Sequence, residues 1–264
     1  MAEAAQVVAR MVKVVILRAP GTNCDMETAF AFQQAGAEVD MIHVNRFIRH
    51  EQRLTDYQIM IIPGGFTYGD DIGAGKVLAN ELKLKLGEDI MRFIEAGGLI
   101  LGICNGFQVL VKAGILPEPS ADGPPQLTLT NNDSGKFECR WTYLGVNQES
   151  PCVFTRGIDR MYLPVAHGEG KVVADPGMLP QLNIVLRYTD ECGDIKAGYP
   201  HNPNGSVDNI AGISDASGRI FALMPHPERH IRGTQHPRWT RQGAKEYGDG
   251  FLIFRNAVSW VEGR

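Results

Sequence analysis

A cysteine flanked by glycines, Gly102-Ile103-Cys104-Asn105-Gly106, stands where an apolar run gives way to an amphipathic helical pattern. Small residues two places to either side of a nucleophile let it sit on a sharp strand-to-helix turn that bulky neighbours would crowd. At a helix N-terminus, unpaired amides and the dipole favour the thiolate, and the Asn105 N–H is aimed at a developing oxyanion. Cys104 is thus the candidate nucleophile. The bland alternative, a buried cysteine ending an ordinary strand, leaves both glycines unexplained.

A nucleophilic sulfur needs a base, and the chain has seven histidines. His43 lies in a predicted strand, while His50, His201, His230 and His236 fall in polar, loop-like stretches. His226 differs, because it follows the apolar run 219–224 within Pro225-His226-Pro227-Glu228-Arg229. Glu228 is placed to hold one ring nitrogen and so fix the tautomer, as in nucleophile–base–orienter triads. The rival reading of this stretch is a surface turn with an ordinary ion pair. His167-Gly168-Glu169 is a second pair of similar spacing.

Two motifs fail on inspection. Gly69 to Lys76 looks like a phosphate loop, but the required first glycine falls on Asp70 and Val77 stands where Ser or Thr is needed. It is read as a glycine-rich active-site loop without nucleotide. His226 and His230 have i, i+4 spacing, but the zinc-protease pattern is missing and Pro227 disfavours a helix interior, so no metal is expected.

The elements that position these groups alternate. Residues 12–17 predict a strand closed by Pro20-Gly21, and Thr22 and Asn23 offer caps for a helix carrying Met26, Ala29, Phe30 and Gln33. Residues 38–44 and 58–62 predict two more strands, the latter stopped by Pro63-Gly64-Gly65. A helix over 78–96, with a potential break at Gly87, precedes the strand 99–103. Such alternation implies a parallel sheet with helices on both faces and sites beyond the carboxyl ends of its strands. Cys104 and the Pro63 turn can meet there.

After Leu116 the texture changes to a proline–glycine loop over 117–125 and short β-like runs over 127–220, an antiparallel excursion rather than a second domain. Asn202-Pro203-Asn204-Gly205-Ser206 is a strong turn signal. A last helix, with Phe251, Phe254, Val258 and Val261 on one face, is expected to start at an Asp249 cap and close over the sheet.

With 264 residues and 44% hydrophobic content the chain can bury a sizeable core, and one domain over 1–264 is favoured. A net charge of -4 gives no basic face for nucleic acid. No apolar run approaches the ~18 residues of a membrane span. Residues 1–11 read as a flexible lead rather than a signal peptide, which places the protein in the cytoplasm. Five cysteines without close pairs argue against a disulfide framework or a thiolate zinc site. Residues 229–241 are far more basic than the chain around them, and they read either as a solvated connection or as a partner contact.

The motifs around Cys104 and His226 together resemble the class I, triad-type glutamine amidotransferases. More narrowly, Arg18 to Asp25, Gly64 to Asp70, Asn202 to Ser206 and Asn209 to Ile213 resemble the glutaminase part of phosphoribosylformylglycinamidine synthases in purine biosynthesis. The resemblance runs from about Val12 to the last helix. It implies an α/β fold with a flavodoxin-like, mainly parallel sheet, helices on both faces and a small antiparallel excursion. It implies Cys104 as nucleophile, His226 as acid/base and Glu228 as orienter. It also implies an oxyanion hole from the Gly65 and Asn105 N–H groups, and a glutamine pocket shaped by Gly64, Phe66 and Gln108. Cys24 is not implicated.

Glutamine would be hydrolysed through a thioester, and its ammonia passed to a separate synthetase subunit, with or without a small third subunit. No cofactor is expected in this chain, and ATP and Mg belong with the synthetase. Residues 72–76 depart from the separately encoded subunits toward the version fused into large synthases. The alternatives are a glutaminase of another nucleotide pathway, or a non-catalytic interaction module of the same fold.

Overall fold

The computed structural model describes residues 11–118 and 127–263, so the expected lead before Met11 and residues 119–125 of the proline–glycine loop lie outside the described residues. In the first half β1 (Lys13–Arg18), α1 (Asp25–Gln34), β2 (Glu38–His43), α2 (Val44–Ile48), β3 (Ile59–Ile62), α3 (Lys76–Glu95), β4 (Leu99–Ile103) and α4 (Asn105–Lys112) follow one another. Seven strands come next: β5 (Leu127–Thr130), β6 (Glu138–Val146), β7 (Arg160–His167), β8 (Lys171–Ala174), β9 (Asn183–Thr189), β10 (Ile210–Ser214) and β11 (Ile220–Leu223). The short α5 (Trp239–Gln242) and α6 (Phe251–Glu262) end the chain.

Nine strands form one sheet in the order β2-β1-β3-β4-β11-β10-β9-β6-β7, and β5 pairs with β8 separately. From β2 to β11 the neighbours run parallel. Beyond β11 they run antiparallel. The side chains explain the division. β3, β4 and β11 are buried at every position, as strands covered on both faces must be, whereas β7 alternates buried and half-buried residues. The antiparallel excursion therefore continues the main sheet.

From β1 the chain steps one way along the sheet to β2, and from β3 it steps the other way to β4. Because parallel crossovers are right-handed, α1 and α3 must lie on opposite faces. Accordingly α1 packs with α6, and α3 packs with α4. Phe32 of α1 meets Phe254 of α6 edge-on at 5.0 Å, and both are fully buried.

Local readings differ in four places. α3 runs unbroken through Gly87, because a single glycine, worth about 1 kcal/mol, is outweighed by the packing of a long helix. The buried side of α1 is Thr28, Ala29, Ala31 and Phe32, with Met26 exposed, because α6 as well as the sheet covers it. Neither predicted cap forms: Cys24 is the first half-turn residue of α1, and the Asp249 carboxylate accepts the Tyr162 amide at 3.0 Å instead of capping α6. α4 is buried along all of 105–111 rather than amphipathic, since α3, β5 and the sheet surround it.

The Phe32–Phe254 contact should be a main tie between α1 and α6. Phe254→Ala is expected to lower stability by about 3–5 kcal/mol in urea unfolding. A loss below about 1 kcal/mol would mean that the helical layer is held elsewhere.

Candidate active site

The turn after β4 is as tight as the glycines require. A Cβ on Gly106 would lie 1.9 Å from the Ile62 carbonyl oxygen, and one on Gly102 would lie 2.6 Å from Leu110. Between them Cys104 takes φ 52 and ψ -103, a backbone conformation that is strained by roughly 1–3 kcal/mol for a side-chain-bearing residue. Hydrogen bonds hold it there. Its amide donates to the Leu223 carbonyl at 2.8 Å, and its carbonyl accepts from the Phe107 and Gln108 amides. Cys104 is 5% exposed, and its sulfur lies 3.8 Å from the Ala166 carbonyl at the end of β7.

β11 lies beside β4 and delivers His226 to the same end of the sheet. The His226 Nδ1 is 2.6 Å from Glu228 Oε1, and both side chains are essentially inaccessible. Burial alone would push the imidazole toward its neutral form. The Glu228 carboxylate and the Cys104 sulfur outweigh it, so the pKa is raised well above the ordinary histidine value. The Nε2 of this ring and the second oxygen of Glu228 are buried without hydrogen-bond partners among the described residues. Backbone holds the ring as well, because the His226 amide donates to Pro164 O of β7 at 2.8 Å.

The oxyanion candidates follow adjacent strands, Gly65 after β3 and Asn105 after β4. Gly65 leaves no room for a side chain, since a Cβ would lie 2.7 Å from the Gly21 carbonyl. Neither its amide nor that of Asn105 donates to an acceptor among the described residues. The Asn105 side chain is tied down: its Oδ1 accepts from the Thr67 hydroxyl at 2.7 Å, and its Nδ2 donates to Gln108 Oε1 at 2.9 Å. Gln108 in turn donates to the Glu169 carbonyl at 2.5 Å. Phe66 is 44% exposed at the mouth, 6.3 Å from Phe137. Gly64 lies against the base, because a Cβ there would be 2.9 Å from the His226 ring.

A strained thiol at a helix N-terminus, a charged His–Glu pair and two free amides are the parts of an acyl-transfer site. Comparison with known proteins identifies its kind. Residues 11–261 match the CobB/CobQ-like glutamine amidotransferase domain. The phosphoribosylformylglycinamidine synthase subunit PurQ of Dehalococcoides mccartyi is 63% identical, over 95% of this chain and 98% of that one. Its counterpart from Archaeoglobus fulgidus is 47% identical over 95% and 97%. A chain in the structure of PurLQS from Thermotoga maritima is 33% identical, with a TM-score of 0.73 over 96% of this chain and all of that one.

The chain belongs to the PurQ family of glutamine amidotransferases. These relatives are subunits, so the likeness of residues 72–76 to fused synthases does not extend to the whole chain. The stretches that carried the resemblance have structural work in this PurQ family member. Thr22 bridges to Gly65, and Cys24 N donates to Gly64 O at 3.1 Å, so the segment after β1 backs the Gly64–Gly65 turn. Asn204 is fully buried and donates to Gly170 O at 2.8 Å, bracing the segment after His167.

His167 and Glu169 do not pair. The His167 Nδ1 is 3.1 Å from the Asn132 side chain, whereas the Glu169 carboxylate accepts the Ala74 amide and lies 3.8 Å from Lys112. Burial, with the positive charge of His226 nearby, pushes the His167 pKa down to about 3.

Sequence reasoning passed over Cys24, which the fold brings to 3.9 Å from His226 Nδ1 and 3.1 Å from the Arg229 guanidinium. Cys24, His226 and Glu228 offer ligand atoms within 4.8 Å of one another. Two ligands of one zinc ion sit roughly 3.3 Å apart, given metal bonds of 2.0–2.1 Å. His226 and Glu228 are closer than that, and the guanidinium cation already contacts the sulfur. The cluster fits a hydrogen-bonded set rather than a cation site.

The two buried histidines should titrate in opposite ways. Imidazole NMR is expected to show His167 neutral and His226 charged across roughly pH 5–8, the range in which an unperturbed histidine changes charge. A His167 titrating near the ordinary value would refute the assignment of charge to His226 alone.

Proposed function

We propose that this chain is the glutaminase subunit of a phosphoribosylformylglycinamidine synthase, with Cys104, His226 and Glu228 as its catalytic triad. The observation that carries the site assignment is the buried His226–Glu228 pair, whose imidazole is raised in pKa in part by the sulfur of a cysteine held in a strained turn. A non-catalytic module would have no use for such strain.

The chemistry follows from the geometry. The Cys104 thiolate attacks the side-chain amide carbon of glutamine, and the carbonyl oxygen becomes an oxyanion held by the Gly65 and Asn105 N–H groups. The His226 imidazolium gives its proton to the departing nitrogen, ammonia leaves, and a thioester remains. Neutral His226 then takes a proton from water, whose oxygen attacks the thioester. Glutamate departs as the sulfur is released, so one glutamine and one water give one glutamate and one ammonia. Gln108, Phe66 and Gly64 shape the pocket.

Ammonia is consumed by a synthetase subunit that binds ATP and Mg, replacing the amide oxygen of the formylglycinamide ribonucleotide. A small third subunit completes the assembly, a reading supported by the PurLQS likeness. No helix among the described residues is long and apolar enough to cross a membrane, which fits a place in the cytoplasm. The basic stretch 229–241 supplies part of the synthetase contact, and Trp239 is 41% exposed there.

Three measurements test this. Cys104→Ala should abolish glutamine hydrolysis and spare ammonia-supported synthesis in the reconstituted complex, whereas retained hydrolysis would move the nucleophile elsewhere. His226→Ala should lose about 10³-fold or more in glutaminase rate, as when a triad base is removed. His167→Ala should lose far less, and the reverse order would make His167 the base. Replacing Arg238 and Trp239 by Ala should weaken synthetase binding and blunt partner-stimulated hydrolysis, whereas no change in either would take this loop out of the interface.

A further inference from the structure

Glu228 holds His226 through one oxygen, and that oxygen is contested. Arg229 Nε stands 3.9 Å from the same Oε1 that His226 occupies at 2.6 Å. The other oxygen of Glu228 is buried with no partner among the described residues. An arginine free to turn toward a carboxylate forms a charge-assisted, often two-pronged contact, stronger than a single hydrogen bond. The Arg229 side chain is 36% exposed and so has room to move. What restrains it is Cys24. Its sulfur accepts a hydrogen bond from Arg229 Nη2 at 3.1 Å, lies 3.9 Å from His226 Nδ1 and is within hydrogen-bond reach of Asn23 Oδ1 at 3.2 Å. Cys24 is fully buried, and its backbone is fixed by the bond to Gly64.

We infer that Cys24 is a positioning residue of the glutaminase: its sulfur tethers the Arg229 guanidinium and so keeps the Glu228 carboxylate on His226. This inference rests on the triad assignment above. Cys24 performs no covalent step, because it sits on the Nδ1 side of the ring with Glu228. Without the tether, Arg229 closes on Glu228, the carboxylate is drawn from Nδ1, and the imidazolium loses its main support. The groups acting on His226 are Glu228 on its own turn, Cys24 at the start of α1, Cys104 before α4 and His167 at the end of β7. Arg229 is itself held by its hydrogen bond to the Cys24 sulfur and by the nearby carboxylates of Glu228 and Glu27. Cys24, which is neither nucleophile nor orienter, contacts both His226 and Arg229 through its side chain.

The test uses the complex with its synthetase, and follows glutamine hydrolysis against pH. Cys24→Ala and Cys24→Val cannot accept a hydrogen bond, and the valine nearly fills the space of the sulfur. Both should lower kcat roughly 10-fold with KM unchanged, less than the 10²–10⁴-fold typical of general acid–base catalysis itself. The alkaline limb of the kcat profile should move to lower pH, because the imidazolium is less well held. Cys24→Ser keeps an acceptor and should stay near the parent rate and profile. Adding Arg229→Met to Cys24→Ala should restore most of the lost kcat, since the competing cation is gone.

Parent-like kcat and an unmoved limb in the alanine and valine variants would overturn the inference, as would a double variant no better than Cys24→Ala. Equal losses in the serine and valine variants would also overturn it, because they would show packing alone. Cys104→Ala, run in parallel, separates the two readings: if it still hydrolyses glutamine, the triad assignment itself has failed.

Discussion

The site depends on the absence of one carbon atom. Gly106, in the first turn of α4, lies against the carbonyl of Ile62, and no side chain fits between them. That approach brings α4 down onto the end of β3, where the Asn105 side chain reaches Thr67 in the following loop. It also leaves Cys104 at a positive φ, with the strand ladder on one side and the helix on the other. Strain of this kind persists only where surrounding structure over-determines it. Here a buried strand and a buried helix both do so.

The second constraint is electrostatic. An ionised carboxylate and an imidazolium, both nearly inaccessible, are tolerable inside a protein only as partners, because each alone would carry a large desolvation penalty. Their burial makes the pair short and directional. The flanking prolines add rigidity: Pro225 and Pro227 restrict the backbone on either side of His226, and the stretch has few alternative shapes. His226 is thus oriented by its neighbours in sequence and charged by Glu228 beside it and by the Cys104 sulfur across the strand ends.

Much of this was legible in the sequence because the chemistry sits at the ends of short apolar runs. A strand that stops at Cys104 and another that stops before His226 announce that both residues reach the same rim of the sheet, whatever the details between. Contacts across long separations were not legible. Cys24 meets His226 across 202 positions, and nothing near Cys24 in sequence hints at it. Asp249 looked like a helix cap, but an amide 87 positions away competes for its carboxylate and wins. The buried side of α1 was misread because a helix near the other end of the chain, not the sheet alone, covers it. His167-Gly168-Glu169 had the right spacing for a pair, yet the chain turns there so that the two side chains serve different neighbours.

The hydrogen bond from the His226 amide to Pro164 has a consequence for how the molecule can be governed. Pro164 belongs to the outermost strand of the antiparallel side, four places along the sheet from β11, yet its carbonyl holds the peptide of the base. This hydrogen bond ties the outer antiparallel strand directly to the turn after β11. A shift of Pro164 relative to β11 would strain the hydrogen bond that fixes the His226 peptide.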